Sequence, residues 1–441
     1  MQVPGLVRGK LLVWVAALAV ALAALGLALA LWLPGPLALA PPKGARNVST
    51  RVTVRATLRR APAAGDELAL LLDPPAEGVL RIEGRELVFT PSAALAPDTT
   101  YTARVPALGF SWRFTTAPRR VLYLAPGAQD VWQLYLLDLD GGAPVQLTRE
   151  PWGVRDYAVS PDGDTIAYAA EREDGGHDLW LSARDGAGLR LLLACPGASC
   201  REAAWRPDGQ GLIYERHEGG QPALWTVTLD GEAAPLLWQG EPMAAAAPRL
   251  SADGRWLAAL DAATEQMLLY DLASGEGDLI PGQTGVPAAW HPWRNALLMS
   301  HVYWLGESFG KRLLLADLEE GELRLITGED ETALPLVEDI HAAWSPDGEW
   351  IAFARRSTLR GAAAPRQIWL VDAQGGELRQ LAQDARIHHG APQWSPDGQL
   401  LLYGRYHWEQ PDGPAALGVF ELASGAQRLL PAAGSWPAWL P

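Results

Sequence analysis

The 441-residue sequence has few cysteines and no clustered basic residues, and each shortage excludes a class of function. Two cysteines cannot complete a zinc site, because structural zinc takes four ligands. Acidic residues outnumber basic ones by 51 to 36, which gives a formal net charge of −15. Recognition of phosphate backbones needs lysine and arginine gathered on one face. No nucleic-acid partner is therefore predicted.

The two cysteines, Cys195 and Cys200, belong to one short loop of sequence Cys-Pro-Gly-Ala-Ser-Cys. In an oxidising compartment they would form a local disulfide, and in a reducing one they would remain two thiols. Charged residues make up 20% of the chain and hydrophobic ones 49%, as in a globular protein. The 45 glycines and 35 prolines favour many tight turns, and hence many short strands.

A long apolar run near the N-terminus indicates the compartment. No residue from 11 to 33 carries a charged side chain, and a helix of this length would span roughly 34 Å, enough to cross a bilayer. The site Ala38-Leu39-Ala40 is followed by Pro41, which is unfavourable after a cleavage site. We therefore predict an uncleaved transmembrane anchor at 11–33, with residues 1–10 as a cytoplasmic tail.

The orientation of this anchor follows from its flanking charges. Arg8 and Lys10 precede the apolar run directly, whereas Lys43 and Arg46 lie well beyond its end. The positive-inside rule then places the bulk of the chain outside the cytoplasm, in the periplasm or the extracellular space. Residues 34–46, rich in proline, glycine and alanine, are predicted to form a stiff linker.

Short strands are predicted next, from about residue 47 to 117. Val52, Val54, Ala56 and Leu58 alternate with polar residues, which is typical of a strand with one buried face. Further apolar runs separated by turn residues lie at 68–72, 79–82, 87–89, 101–105 and 112–115. The string Leu-Ala-Pro-Asp-Thr-Thr-Tyr at 95–101, closed by Trp-Arg-Phe-Thr-Thr at 112–116, resembles the bacterial SbsA-type Ig-like domain. That resemblance implies a small β-sandwich acting as a spacer or adhesive module.

A repeat of roughly 46 residues fills the remainder of the sequence. Its marker is a Ser-Pro-Asp-Gly turn or a close variant, which recurs at 160–163, 206–209, 251–254, 345–348 and 395–398, with a degenerate copy at 290–294. A tryptophan often stands two residues before the proline, and an apolar triplet such as Ile166-Ala-Tyr168 follows the turn. A second and a third apolar run complete each copy. Four short strands per period are typical of a propeller blade.

These repeats closely resemble those of the TolB-like β-propellers over about residues 120–441. The resemblance implies an all-β fold, and a count of the copies predicts seven blades. One blade is split between the chain ends: residues 121–147 supply three strands, and Pro437-Ala-Trp439 repeats Pro392-Gln-Trp394 as the fourth. TolB-like propellers serve as docking platforms, as gates on peptidases or as lone binding modules.

Two motifs with catalytic precedent occur together in this region. Gly306-Glu-Ser-Phe-Gly310 matches a nucleophile elbow, and Ser308-Phe-Gly-Lys311 matches Ser-x-x-Lys. An elbow needs a strand-to-helix turn in an α/β sheet, whereas Ser308 is predicted to lie between two propeller strands. We therefore predict that the chain is not an enzyme, and no cofactor or metal is predicted.

The channel of a propeller is the place where polar groups converge. The first strand of each blade lines the axis, so residues just before it would ring one mouth; they are Arg155, Asp156, Arg201, Glu202, Asp339, His341, His388 and His389. They would form either a ligand site or an ordinary solvated rim. Trp152, Trp304 and Trp408 are predicted to lie in loops as contact residues.

The sequence thus predicts a membrane-anchored binding or scaffold protein of the cell envelope. Its partner would be a protein, a peptide or a glycan. The alternative is a metal-dependent hydrolase resembling lactonase propellers, with a cation held at the channel mouth by groups such as His341, His388, His389 and Asp339.

Overall fold

The computed structural model describes residues 36–62, 68–139, 141–280, 286–328, 336–358, 364–409 and 415–441. The predicted tail and anchor, residues 1–33, lie outside these ranges. Within them, no helix has the length and apolar character needed to cross a bilayer. The described chain divides into two compact units, one containing Val52–Ser92 and Thr99–Thr115 and the other containing Thr116–Pro441.

The first unit consists of two four-stranded sheets with the orders β1-β3-β6-β5 and β2-β8-β7-β4. Its elements are β1 (Pro36–Ala40), β2 (Ala45–Val48), β3 (Val54–Leu58), β4 (Leu71–Asp73), β5 (Gly78–Glu83), β6 (Glu86–Pro91), β7 (Thr100–Val105), the 3-10 turn η1 (Pro106–Leu108) and β8 (Phe110–Thr116). Alternate residues of β3 and β8, such as Val54, Ala56, Trp112 and Phe114, are buried. The alternation predicted from the sequence thus gives each sheet one buried face.

The predicted linker at 34–46 is wrong in part. Residues 36–40 form strand β1, which pairs with β3 in an antiparallel register, and β2 begins at Ala45. The indole nitrogen of buried Trp112 donates a hydrogen bond of 3.1 Å to the carbonyl of Pro41. Proline removes backbone donors but is tolerated on edge strands, so this segment can close a sheet edge despite its composition.

The second unit is built of four-stranded antiparallel sheets in chain order. Its first half contains β9 (Arg120–Pro126), the 3-10 turn η2 (Ala128–Asp130), β10 (Trp132–Asp138), β11 (Val145–Gln146), β12 (Val154–Val159), β13 (Thr165–Glu171), β14 (His177–Ala183), β15 (Arg190–Leu193), β16 (Ser199–Trp205), β17 (Gly211–His217), β18 (Pro222–Thr228), β19 (Ala233–Pro235), β20 (Leu237–Trp238), β21 (Glu241–Pro242), β22 (Ala245–Leu250), β23 (Trp256–Asp261), β24 (Met267–Asp271) and β25 (Glu276–Ile280). Strands β12–β15, β16–β19 and β22–β25 each form one sheet, and β20 pairs with β21.

The second half repeats the pattern with one merger. It contains β26 (Ala289–Trp290), β27 (Ala296–Leu305), β28 (Ser308–Asp317), β29 (Glu322–Leu325), β30 (Val337–Trp344), β31 (Trp350–Ser357), β32 (Gln367–Asp372), β33 (Arg379–Gln380), β34 (Ile387–His389), β35 (Gln393–Trp394), β36 (Leu400–His407), β37 (Ala416–Glu421), β38 (Gln427–Ala433) and β39 (Ser435–Leu440). Strands β26–β29 and β30–β33 form one eight-stranded sheet, joined by a single parallel bridge between Lys311 and Glu338.

The recurring Pro-Asp-Gly turn is fixed by its own side chains. In the first copy, the Ser160 hydroxyl lies 2.5 Å from an oxygen of Asp162 and accepts the backbone N–H of Thr165. Gly163 adopts a φ of 75°, which favours glycine. The same serine and aspartate contacts recur at 251–253, 345–347 and 395–397. The repeat marker therefore encodes a turn, as predicted, and leaves function to other residues.

The recurring tryptophan connects successive repeats. The indole nitrogens of Trp205, Trp290, Trp394 and Trp439 each donate to a carbonyl of the preceding repeat, at Ala158, Arg249, Ala343 and Gln393 respectively, over 2.9 to 3.1 Å. Apolar clusters join the same neighbours. The cluster containing Val121, Leu402 and Trp439 brings together the first and last sheets of the unit.

The last strand, β39, completes the first sheet. It pairs with β9 in the order β11-β10-β9-β39, and Trp439 lies opposite Val121. This is the pairing predicted from the repetition of Pro392-Gln-Trp394 in Pro437-Ala-Trp439.

Candidate functional site

The first strand of most repeats, here β16, β22, β30 and β39, carries a β-bulge, and the bulges give the site its geometry. Register shifts occur between Arg201 and Ala204, Ala246 and Arg249, Ile340 and Ala343, and Ser435 and Ala438. At each bulge one non-glycine residue has a φ near 50°: they are Glu202, Ala247, His341 and Trp436. Such backbone is strained for residues with a side chain and is concentrated at functional sites.

Side chains at these equivalent positions differ in chemistry. Glu202 supplies a carboxylate, Ala247 a methyl group, His341 an imidazole and Trp436 an indole. Glu202, His341 and Trp436 are exposed, Trp436 to 61%. The indole of Trp436 lies 6.0 Å from that of Trp132, which is also exposed. The bulges therefore present different side chains on a repeated backbone.

The first charged cluster consists of Arg155, Asp156, Arg201, Glu202, Glu215, His217 and Arg249. The backbone N–H of Glu202 donates to Asp156 over 3.1 Å, and that of Ala247 donates to Glu215 over 2.7 Å. Nε2 of His217 lies 2.7 Å from Glu215 and 3.2 Å from Nε of Arg201. Carboxylates of one repeat thus accept hydrogen bonds from the backbone of the bulge in the next repeat.

Asp156 is the most perturbed acid of the first charged cluster. Burial raises the pKa of its carboxyl to about 7, and the negative charges of Glu202 and Glu215 contribute in the same direction. The hydrogen bond from Glu202 and the charge of Arg155 oppose that rise. This carboxyl therefore changes charge near neutral pH.

The second charged cluster consists of Lys311, Glu338, His341, Arg356, Arg366 and His388. Arg356 makes a bidentate contact with Glu338 over 2.7 and 2.8 Å, and Arg366 donates to the same carboxylate over 2.9 Å. Nη1 of Arg366 also lies 3.3 Å from Nε2 of His388. Burial alone would raise the pKa of Glu338, but these guanidinium groups lower it below its ordinary value.

The histidines of the predicted site are poor proton carriers. Burial first, then the charges of Arg366 and Arg356, lower the pKa of His388 to about 4. Burial and Arg405 do the same for His389. The pKa of His341 is also lowered, by the loss of water around its ring from neighbouring groups and by the charges of Arg366 and Lys311. All three imidazoles are accordingly neutral at pH 7.

Asp339 belongs to a buried ion pair. Its side chain is fully buried and accepts two hydrogen bonds from Arg355, over 2.6 and 2.7 Å, and one from Thr327 over 2.6 Å. The Arg355 guanidinium also lies 4.9 Å from the ring centre of Trp369. Asp339 therefore stabilises the sheets rather than facing a ligand.

The predicted positions need two corrections. Arg155, Asp156, Arg201, Glu202, Asp339, His341, His388 and His389 lie within strands β12, β16, β30 and β34, not before them. His389 is buried against Tyr403, with ring centres 5.2 Å apart. Trp304 lies within strand β27, not in a loop, although it is 66% exposed. Bulges permit residues within strands to reach the surface, where the sequence had predicted loop residues.

Several site residues are absent from the sequence-based list. Arg356 and Lys311 reach the second charged cluster from β31 and β28, and Arg366 reaches it from the residue just before β32. Glu215 and His217 reach the first from β17. The pair Arg355-Arg356 directly follows the apolar stretch of β31, where a strand would otherwise end. The position of this arginine pair next to the predicted channel mouth is a sequence signal that could have identified Arg356 as a site residue.

The described residues contain no group of three or more histidine, cysteine, aspartate or glutamate side chains arranged to hold a metal ion. Two of the four donors named for the alternative metal site are already engaged, since Asp339 bonds Arg355 and His388 accepts from Arg366. Cys195 and Cys200 form a disulfide in this structure. Ser308 is the first residue of β28, after a two-residue turn from β27.

Comparison with known proteins identifies the fold. No protein-family model matches the sequence, and no curated protein matches it significantly. Among solved structures, puromycin hydrolase is similar with a TM-score of 0.54 and 16% identity over 72% of this chain and 52% of that one. This chain thus spans about half the length of that hydrolase.

Two further solved structures are similar over most of this chain. TolB from Acinetobacter baumannii has a TM-score of 0.45 and 16% identity, covering 73% of this chain and 67% of that one. The β-propeller domain of the Trilobed protease from Pyrococcus furiosus has a TM-score of 0.49 and 12% identity, covering 76% and 93%. The described second unit is nearly all β, and its similarity to puromycin hydrolase is one of fold alone.

The prediction that the chain is not an enzyme is wrong, because it was drawn from a fold that also occurs in enzymes. Puromycin hydrolase contains the same fold over the matched region. An identity of 16% does not show whether this chain has that activity, another activity or none. Function has to be argued from the side chains.

Proposed function

We propose that this chain is a binding protein of the cell envelope, in which seven four-stranded repeats close into a ring and the inner-strand bulges face the ligand. The pairing of β39 with β9 and the hydrogen bond from Trp439 to Gln393 support closure. The two-sheet unit before the ring, an Ig-like sandwich in this proposal, serves as a spacer. The ligand is a protein, a peptide or a glycan.

One observation carries the proposal. Glu202, His341 and Trp436 occupy equivalent strained positions on a repeated backbone, yet their exposed side chains differ in charge and polarity. A bulge needed only for folding would accept glycine at each position, since glycine adopts positive φ without the steric cost. The presence of large functional groups there favours a role in recognition.

Replacement of the bulge side chains tests this role. In the double variant His341→Gly and Trp436→Gly, the unfolding free energy should change by no more than about 1 kcal/mol, because relief of positive φ offsets the lost contacts. Capture of the envelope partner by the full-length protein should fall at least about tenfold, as measured by quantitative pull-down from envelope extract and surface plasmon resonance with the captured species.

The matched control is Trp293→Ala. Trp293 is 59% exposed but lies in the turn between β26 and β27, away from the bulges. Its replacement should leave capture unchanged. Equal capture by the wild type and the bulge variant would refute a role for these side chains.

The envelope location is a proposal based on the apolar run at 11–33 and on Arg8 and Lys10. Protease added to intact cells, or to cells with only the outer barrier opened, should digest the region after residue 36. Complete protection there would mean that the orientation is reversed.

A further inference from the structure

The repeat formed by β26–β29 departs from the turn that the other repeats share. Its turn, at 290–294, lacks the serine and the aspartate that fix the others. Nδ1 of His291 instead accepts the backbone N–H groups of residues 293 and 294, each over 3.2 Å. A histidine ring is larger than a serine hydroxyl, so it takes up space between this turn and the turn of the next repeat.

The ring of His291 separates two turns that lie in contact elsewhere. At another junction, a Cβ atom built on Gly254 would lie 3.5 Å from Pro207 of the preceding turn, which is an ordinary contact distance. A Cβ atom built on Gly348 would instead lie 2.5 Å from Nε2 of His291. Glycine at 348 therefore leaves the room that the ring requires.

The tryptophan connection between successive repeats is also altered at this junction. The indole nitrogen of Trp344 is buried and has no hydrogen-bond partner within the described structure. At the equivalent positions, the indole nitrogens of Trp290 and Trp394 donate to the preceding repeat. The ring of Trp344 instead meets that of His291, with ring centres 4.7 Å apart and an angle of 66° between the planes. An aromatic contact thus stands where the other repeats have a hydrogen bond.

A cavity of about 280 Å³ lies beside this aromatic contact, between the two repeats. Pockets for drug-sized ligands have volumes of roughly 300–1,000 Å³, so this one suits a single six-membered ring with its substituents. Every residue that lines it lies within the described ranges. We call it the junction cavity; its polar lining side chains are those of His291, Arg294, Arg324, Asp347, Glu349 and Gln374.

The polar groups of the junction cavity include both donors and acceptors. Arg324 donates to the carbonyls of Gln374 and Ala373, over 2.8 and 3.1 Å, which fixes the guanidinium and leaves its other N–H groups available. Oδ1 of Asp347 is used within its own turn. Oδ2 of Asp347 and the carboxylate of Glu349 make no hydrogen bond with other described residues. A ligand could therefore donate to these carboxylates and accept from the guanidinium.

Charges of both signs border the junction cavity: Arg294 and Arg324 on one side of the balance, and Asp347 and Glu349 on the other. Arg294 is in addition paired with Asp317, Glu319 and Glu320. Burial, and next the charge of Arg294, lower the pKa of His291, so its ring is uncharged at neutral pH. An anion would lie beside carboxylates and a cation beside guanidinium groups, and like charges repel in either case. A neutral ligand avoids both costs.

We infer that the junction cavity binds one neutral sugar ring of a glycan. The hydroxyl groups of a sugar both donate and accept, so they match the carboxylates of Asp347 and Glu349 and the available N–H groups of Arg324. The C–H faces of the ring are apolar and pack on aromatic rings, here those of His291 and Trp344. This binding goes beyond the proposed function, because it takes place at a second location on the chain.

The junction cavity lies apart from the bulges. Three residues of β30 follow His341 before the turn at 345–348 begins, a length of strand of roughly 10 Å. The bulge residues Glu202, Ala247, His341 and Trp436 are absent from the lining of the junction cavity. Sugar binding in this cavity and partner capture by the bulges can therefore be measured independently.

Saturation-transfer NMR on the full-length protein, kept in a detergent without a sugar head group, tests the inference. The neutral probes are D-glucose, D-galactose, D-mannose and N-acetyl-D-glucosamine. The charged probes are the uronate and the 2-amino-2-deoxy sugar of the same rings. At least one neutral probe should bind with a Kd below about 10 mM, as expected for a ligand of this size, and more tightly than either charged form of its ring.

Variants then locate the binding. Glu349→Ala removes an acceptor and should weaken binding of the best neutral probe at least about tenfold, as for the loss of a hydrogen bond to a charged group. His291→Ser gives this turn the hydroxyl found in other repeats, and should weaken binding as much because the ring is removed. Glu232→Ala, in the exposed turn between β18 and β19, is the matched control and should leave binding within about twofold. Near-ultraviolet circular dichroism checks that each variant is folded; if His291→Ser is not, Glu349→Ala decides alone.

Three results would overturn the inference: no neutral probe bound below about 10 mM, binding that is unchanged in either folded variant, or tighter binding of a charged probe. Loss of sugar binding in the double variant His341→Gly and Trp436→Gly would also overturn it, because the sugar would then lie at the bulges. Partner capture without sugar binding would refute only this inference. Sugar binding without partner capture would refute only the wider proposal.

Discussion

The two charged clusters both lie beside strand bulges but differ in which of their groups have a shifted pKa. In the first charged cluster the carboxylates Asp156, Glu202 and Glu215 influence one another, and the pKa of Asp156 is raised. In the second, Lys311, Arg356 and Arg366 surround Glu338, and the pKa of Arg366 is lowered. Because the backbone bulge is common to both, the difference lies in the side chains alone. A repeated scaffold can thus carry different chemistry around one face.

The Arg355–Asp339 ion pair is more deeply buried than the contact between His217 and Glu215 in the first charged cluster, and removal of one partner should expose that difference. Asp339→Ala leaves the Arg355 guanidinium buried without its carboxylate, which should lower the unfolding free energy by about 3–5 kcal/mol. Glu215→Ala in the first charged cluster loses contacts with His217 and Ala247 and should cost about 1–3 kcal/mol. Urea denaturation followed by tryptophan fluorescence measures both. Equal losses would mean that the two ion pairs are equally buried in solution.

The pH dependence of the unfolding free energy should have opposite signs for substitutions in the two clusters. The folded pKa of Asp156, about 7, lies above its ordinary value of 3.8. Its contribution to stability is therefore complete below about pH 4 and is lost as the pH rises through 7. Asp156→Asn should become more stable than the wild type by up to about 2 kcal/mol at pH 8, with the difference vanishing near pH 4. Thermal denaturation across this range measures it.

His388→Gln should shift the pH dependence of stability in the opposite direction and serves as the control. The folded pKa of His388, about 4, lies below its ordinary value of 6.5, so its contribution is present above pH 6.5 and is lost as the pH falls toward 4. The glutamine variant should be relatively more stable at pH 4 than at pH 8. If both variants shifted the pH profile in the same direction, the electrostatic contrast between the clusters would be wrong.

The strands of the repeat were predictable because each copy carries its own local signals. Ser160, Asp162 and Gly163 set one turn through contacts within six residues, and Ile166 to Tyr168 follows as a buried strand. Strand β1 was missed because Pro36–Ala40 shows no polar and apolar alternation. Its pairing with β3 depends on residues nearly twenty positions away.

The site was only partly predictable for a physical reason. His341 and Glu202 could be placed near the channel, but a bulge sets two residues against one, which no alternation pattern reveals. Arg366 and Glu338 meet across nearly thirty residues of sequence. Their pairing follows from the sheet arrangement, so neither this contact nor the buried state of Asp339 could be derived from spacing.

The pairing of β39 with β9 also means that the first sheet cannot be completed until late in synthesis. Val121 emerges from the ribosome long before its partner Trp439, and translation at about 5–20 residues per second implies a wait of roughly 15 to 60 s. During that time the edge of β9 exposes unpaired backbone groups, a template for wrong strand addition. The nascent chain must therefore protect this edge, or be protected by a chaperone, until the six residues of β39 arrive.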